Sequence, residues 1–296
     1  MRRVPLLGVL VVLLAHTSAN AAIVGPCKFD TQKLAFAGTA SEQASCLLRK
    51  VRILGNVDPT PRELPVHLRL LIGQPISIPK ARLRKVIADR GLTEAMLGGS
   101  LEDPLSRANT NSPQGPQARY FVIHDTSSPF LADMPFPSDL DHDNHVNSLS
   151  GYKSRSNAKA HVFVNRRGDI YVGHNFNVPW RATRLESKVV GVTSRGLFIH
   201  IENVQPRRTH PKQPDGTAPQ PSFSAQQYDR LALLYVAASA RAGSGLIPAF
   251  HASIDEGLPG GHDDPQNFSL EDFDAAIGRL LEEARARPSN DESNVK

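Results

Sequence analysis

Cysteine is almost absent from this chain: two residues in 296, too few to build a thiolate cage for zinc. Aromatic residues make up 6%, and no run of Lys and Arg is interleaved with them, so nucleic-acid binding has no support. Past residue 21 no apolar run approaches the roughly twenty residues that a hydrocarbon core requires. No internal repeat is visible, and nothing bears on oligomeric state. Composition is otherwise ordinary, 40% hydrophobic and 21% charged, which excludes wholesale disorder, collagen and coiled coil. The length fits one large or two modest domains.

What the chain does have is punctuation: 23 prolines and 21 glycines, the mark of long, interrupted loops. Residues 1–21 read as a secretory signal peptide. Arg2 and Arg3 precede an apolar run from Val4 to Ala15, and Ala19-Asn20-Ala21 is a small-x-small cleavage site. The protein is therefore expected to be exported, periplasmic or secreted, with no membrane insertion once the leader is removed. The leader holds two of the arginines behind the net charge of +5, so the mature chain is mildly basic and suited to an anionic polymer. In an oxidising compartment Cys27 and Cys46 most simply form one disulfide, stabilising by about 3 kcal/mol in the chain-entropy picture; two buried thiols are the alternative.

Residues 22–108 have helical texture. Thr39 with Glu42 forms a capping-box pattern ahead of Ala44, Leu47, Leu48 and Val51 at helical spacing, and a second helix is expected from Lys80 to Asp89, stopping at Gly91. No constellation of His, Cys, Asp or Glu stands here, so the region reads as a smaller, mainly helical accessory domain. Residues 109–117 (NTNSPQGPQ) form a polar linker. Over 118–288 the pattern changes to strands mixed with helices. Tyr120 to His124 is a short apolar strand, His161 to Asn165 and Ile170 to Val172 flank a turn, and Leu197 to Val204 alternates with Phe198, His200 and Glu202 on one face. A helix carries Tyr228, Leu231, Leu234, Tyr235 and Ala238 and stops at Gly243. Leu246 to His251 is another strand. A last helix begins at Ser269, buries Phe273, Ile277, Leu280 and Leu281, and ends at Pro288 before a disordered tail, 289–296. This is an α/β class: a central mixed β-sheet flanked by helices.

Among eleven histidines, His124 and His251 stand at the C-terminal ends of predicted strands, where α/β sheets place their ligands. Asp264 follows in the stretch Gly260-Gly261-His262-Asp263-Asp264-Pro265. Alone, each is more often a satisfied core residue. Together, two imidazoles and one carboxylate would leave a fourth zinc position open to water, as a catalytic site requires.

In this order and context the pattern resembles the zinc-dependent N-acetylmuramoyl-L-alanine amidases of the type-two class, related to peptidoglycan recognition proteins. The matching pieces are Val122-Ile123-His124-Asp125-Thr126, the hairpin Ala160-His161-Val162-Phe163-Val164-Asn165 with Gly168 at its turn, Ile201-Glu202-Asn203, and His251 with Asp264-Pro265. They cover roughly residues 118–285. The resemblance implies an amidase-like fold, Zn2+ as cofactor held by His124, His251 and Asp264, Glu202 as the acid–base residue, and peptidoglycan or muropeptides as substrate. His262 stands where many members have a lysine that stabilises the oxyanion, and His161 matches a second-shell or structural histidine of the hairpin. Trp180, Arg181 and Asn203 are the expected substrate contacts.

This chain departs from the family in three places. The interval from His251 to Asp264 is longer, His262 replaces the lysine, and Pro179-Trp180-Arg181-Ala182 stands where Trp-His-Ala-Gly is usual. Alternatives remain in the residues themselves. Glu202 would also suit a solvated strand face, His200 two residues earlier is a second acid–base candidate, and His262 would also serve as a ligand with Asp264 behind it. Asp139, Asp141, His142, Asp143 and His145 read as a solvated acidic loop rather than a calcium loop, since the bidentate glutamate and the glycine are missing. Residues 127–159 are long enough for a substrate-binding lid, and 203–223 for a groove wall. The rival functions are a non-catalytic binding module of the same fold and a zinc peptidase cutting the stem peptide.

Overall fold

Residues 22–52, 56–154, 159–211 and 213–287 are described in a computed structural model; the expected signal peptide, the helix-ending Pro288 and the tail lie outside them. The first elements are three two-residue strands, β1 (Ile23–Val24), β2 (Phe29–Asp30) and β3 (Ala35–Phe36), paired antiparallel. The N-terminal region is thus not purely helical. Two-residue strands carry no readable alternation, so a small sheet of this kind leaves no periodic signal. Cys27 and Cys46 are disulfide-bonded, tying this sheet to α1 (Ala40–Leu47). The capping box forms as the sequence predicts: the Glu42 backbone N–H donates to Thr39 Oγ1 at 3.3 Å, and the Thr39 N–H donates to Glu42 Oε2 at 2.7 Å. Two helices follow prolines, α2 (Val66–Leu71) and the expected α3 (Lys80–Asp89), beyond which Gly91 takes a left-handed φ of 67°.

The stretch read as a linker is a loop, yet it is tied down. It overlaps a short turn, α4 (Ala108–Asn111), in which Asn109, Thr110 and Asn111 all have positive φ. The Thr110 N–H donates to the Arg195 carbonyl at 3.1 Å, and Asn111 Nδ2 to the Asn177 carbonyl at 3.0 Å. Polar composition marks a loop here, while its hydrogen bonds fix it.

The central sheet has the order β10-β4-β7-β5-β6, formed by β4 (Tyr120–Asp125), β5 (Val162–Val164), β6 (Ile170–Val172), β7 (Phe198–Asn203) and β10 (Ile247–Phe250). Four strands run parallel and β6 antiparallel, so the fold is α/β with the mixed sheet expected. A separate hairpin, β8 (Arg208–His210) and β9 (Gln213–Thr217), lies between β7 and α5 (Ala225–Ala242). The helix α6 (His251–Asp255) continues directly from β10, and α7 (Leu270–Ala286) closes the described chain.

Both faces of the sheet are covered. On one, Tyr120 meets Phe36 edge-on at 5.2 Å and stacks on Phe198 at 5.0 Å, and its hydroxyl donates to Gln43 Oε1. On the other, Phe121 meets Tyr235 of α5 at 5.4 Å, and Tyr235 in turn meets Phe273 of α7. Alternation along β4 produces this division, since successive side chains point to opposite faces. Phe29, Phe36, Leu47 and Leu48 therefore belong to the same buried cluster as the sheet and as α5 and α7. Three short helices and a six-residue sheet would have too little apolar surface of their own, and they share one core with the rest.

Candidate metal centre

His124, last but one in β4, and His251, first after β10, are neighbours because those strands are adjacent and parallel, with Phe250 paired to Ile123. The expected ligands converge. His124 Nδ1 lies 2.9 Å from His251 Nδ1, and the two Asp264 carboxylate oxygens lie 3.0 Å from His251 Nδ1 and 3.6 Å from His124 Nδ1. Three ligands at about 2.1 Å from one tetrahedral ion would be separated by about 3.4 Å, so the spacing fits a single ion. All three residues are buried, and this is the one group of His, Cys, Asp or Glu among the described residues able to hold a metal.

Hydrogen bonding behind the cluster aims its lone pairs. Glu186 Oε2 accepts from the Ala182 and Thr183 backbone N–H groups at 3.1 Å and from the Thr183 hydroxyl at 3.0 Å. His200 Nε2 lies 3.1 Å from the same oxygen, at ion-pair distance but without hydrogen-bond alignment. His124 Nε2 lies 3.1 Å from His200 Nδ1; with the proton of that bond on His124 Nε2, His124 Nδ1 presents a lone pair to the cluster. Likewise His251 Nε2 donates to Asp255 Oδ2 at 2.9 Å, a carboxylate fixed by the Arg184 and Leu185 N–H groups. Two lone pairs and a carboxylate aimed at one buried point repel each other unless a cation sits between them. Such outer hydrogen bonds are the usual means of setting the tautomer of a metal-binding histidine.

The electrostatics agree. Burial and the neighbouring His251 and His200 hold His124 well below the usual histidine range. Burial alone would lower His251 too, but Asp264 and Asp255 outweigh it and raise its pKa well above that range. Burial would raise Asp264, and His251 more than offsets it, leaving the carboxyl low. A point that attracts a proton this strongly also favours a divalent ion.

Glu202 ends up beside the cluster, opposite His124 in the register of β4 and β7. Its Oε2 is buried and has no hydrogen-bond partner among the described residues. Burial and then Asp264 push its pKa well above the ordinary carboxylate range. It lines a cleft of about 350 Å³ together with Lys159, Trp180, Arg181, His251, His262 and Asp264. The sequence-selected Trp180 and Arg181 are therefore at this cleft. The indole Nε1 donates to the Lys159 carbonyl at 3.0 Å. His262 is exposed at the rim and stacks on His251 at 4.9 Å, outside the converging group.

Two expectations are placed differently. Asn203, expected to touch substrate, is fully buried on the opposite face of β7 from Glu202, and its Nδ2 donates to the His124 carbonyl at 2.9 Å. His161 does not touch the ligands. Its Nδ1 accepts from the His200 N–H at 3.0 Å and its Nε2 donates to the Val178 carbonyl, so it holds His200 from below. None of the described residues among 203–223 lines the cleft. Instead Arg207 pairs with Asp125, both fully buried, at 2.6 Å, and Asp125 also accepts from the Gln266 N–H. That pair braces the segments carrying His124 and Asp264. The acidic loop spends its carboxylates locally: Asp141 pairs with Arg166, Asp139 with His142, and Asp143 accepts from the Val146 N–H.

Arg207 and Glu186 carried no signal in the sequence, because Asp125 and His200 come beside them only after folding; Asp255 stands four residues after His251, a helical spacing that could have found it. No helix among the described residues is long and apolar enough to cross a membrane. No protein-family profile, curated protein or solved structure matches the chain.

Proposed function

We propose that this protein is an exported, zinc-dependent amidase with an amidase-like sheet, hydrolysing the bond between N-acetylmuramic acid and L-alanine in peptidoglycan or its muropeptide fragments. The observation that carries the reading is the convergence of His124, His251 and Asp264 beside an unpartnered, buried Glu202 Oε2 on an open cleft. Two imidazoles and one carboxylate suit zinc and leave part of its coordination to water and substrate. Zinc bound there would act as a Lewis acid on the scissile carbonyl and make water a stronger acid. The disulfide and the sequence-level leader support export.

Glu202 serves as the general base and then the general acid. Its raised affinity for a proton matches a group that takes one from water and returns it to the departing nitrogen. Water oxygen joins the carbonyl carbon, the carbon–nitrogen bond breaks, and the nitrogen leaves protonated by Glu202. At the rim, the His262 ring N–H is available to the carbonyl oxygen as negative charge develops; one donor of this kind is typically worth about 3 kcal/mol. Lys159 and Arg181 give the cleft a cationic lining suited to a peptide bearing carboxylates.

A pure binding module has no use for an unpartnered carboxylate beside a metal cluster, since burying one is costly. The test is mass spectrometry of purified wall sacculi and disaccharide peptides after incubation with zinc-loaded protein. The expected products are a free L-alanine amino terminus and intact muramic acid. A new amino terminus within the stem would instead identify a peptidase, and no release would identify a binder.

A further inference from the structure

The stretch between α6 and Asp264, lengthened in this chain, has little of its own to hold it in shape. Gly257, Pro259, Gly260, Gly261 and His262 are exposed, and Gly257 and Gly260 take left-handed φ values of 80° and 70°. A loop so rich in glycine loses much conformational freedom when it is ordered. Its anchors therefore decide where His262 stands. Asp264 has supports of a different kind: its carbonyl accepts from the Ala252 N–H at 2.9 Å, and its carboxylate from the Asp125 N–H at 3.1 Å.

Two arginines pin the loop, one near each end. Arg184 Nε donates to the Gly260 carbonyl at 2.8 Å. Arg49 Nη2 donates to Glu256 Oε2, the first side chain of the loop, from 207 positions earlier in the chain. The Arg49 side chain is only 3% exposed, and its other contacts gather around the disulfide. Its Nε donates to the Cys46 carbonyl at 2.8 Å, Nη1 donates to the Asp58 carbonyl at 3.3 Å, and Nη2 lies 3.6 Å from Cys27 Sγ. One guanidinium thus touches both bonded cysteines and the start of the loop. Its planar fork is fixed by these acceptors, so the carboxylate that meets it is fixed as well. Leu258 adds an apolar hold, packing against the same core as Val57 and Cys46.

We propose that Arg49 is a positioning residue for the oxyanion donor. Held by the Cys27–Cys46 disulfide, it fixes Glu256 and thereby the loop that presents His262 to the cleft. The catalytic half of this assignment rests on the amidase reading and on His262 as its donor; the brace does not. Residues 22–108 then contribute to turnover as well as to the core, and their contribution depends on the disulfide.

The test combines Arg49→Ala with His262→Ala in the zinc-loaded full chain. Arg49→Ala alone should lower kcat by about 10–100-fold while zinc affinity stays within about threefold, because a misplaced donor costs rate and leaves the ligands in place. In the His262→Ala background the same substitution should cost less than about threefold, since the group it positions is gone. Arg49→Lys, which keeps the cation, should recover part of the loss. Replacing both Cys27 and Cys46 by serine should reproduce the Arg49→Ala rate. Hydrogen–deuterium exchange reads the brace without turnover: exchange over 257–262 should rise about tenfold in Arg49→Ala while β4 and β10 stay protected. If Arg49→Ala does not fold, Glu256→Gln takes its place in the same cycle and should move both readouts in the same direction. Equal losses with and without His262, or loop exchange indifferent to Arg49, overturn the positioning role and leave the amidase reading in place. Faster loop exchange in a chain that cleaves no substrate keeps the brace and overturns the amidase reading together with the donor role of His262.

Discussion

Two sets of histidine and aspartate side chains stand out in this chain, and among the described residues only one forms a cluster able to hold a metal ion. Residues 139–145 hold five such side chains almost consecutively, yet each carboxylate turns to a neighbour, to Arg166, to His142 or to a backbone N–H. His124, His251 and Asp264 are far apart in sequence, yet their ligand atoms lie within 4.8 Å of one another. The difference lies in the support. A loop lets its side chains find local partners and solvent, whereas adjacent parallel strands hold two imidazoles at fixed separation, and buried carboxylates behind them set their tautomers. Proximity along the chain is therefore a poor guide to a metal site, and placement at the ends of neighbouring strands a better one.

The contrast is most severely tested by removing one member of each group. His124→Ala should reduce zinc affinity by about a thousandfold or more, because it leaves an incomplete ligand set, whereas Asp143→Ala should leave zinc stoichiometry at one per chain. Metal titration with a chromophoric chelator distinguishes the two, and equal loss in both variants would break the comparison. A second substitution separates binding from chemistry at the cluster. Glu202→Gln should keep zinc bound while turnover falls by about 10²–10⁴-fold, measured as amine release at saturating substrate; near-normal turnover would remove Glu202 as the acid–base group. The smallest effect concerns the support itself. Glu186→Gln, which weakens the acceptor facing His200, should lower zinc affinity by about 10–100-fold. An unchanged affinity there would mean that strand placement alone orients His124.

Much of this arrangement could be read from the residues. The capping box at Thr39, the helix stopping at Gly243, and the strands ending in His124 and His251 all follow from local pattern and periodicity. The alternation of β7 already separated Phe198, His200 and Glu202 from the opposite face, and Asn203 lies on that opposite face. Its assignment to substrate came from its place at the head of the Pro-, Arg- and Lys-rich stretch 203–223, against the pleat. His200, the second acid–base candidate, stands behind His124 with its ring fully buried. The Asp125–Arg207 pair left no periodic trace because its members lie far apart in the chain, and Glu186 and Asp255, though bonded to residues three or four positions away, reach His200 and the Arg184–Leu185 backbone only through the fold. The N-terminal sheet escaped notice because its strands are too short to alternate.

The sequence by itself determined where strands and helices begin and end, which faces are apolar and which side chains finish the central strands, because these depend on neighbours a few residues away. Tertiary structure alone decided that His124, His251 and Asp264 share one buried point and that the neighbouring Glu202 Oε2 has no hydrogen-bond partner among the described residues. It also decided that residues 22–108 complete the core of the sheet domain. Those outcomes arise from desolvation and from packing between distant segments, and neither exists until the chain has closed on itself.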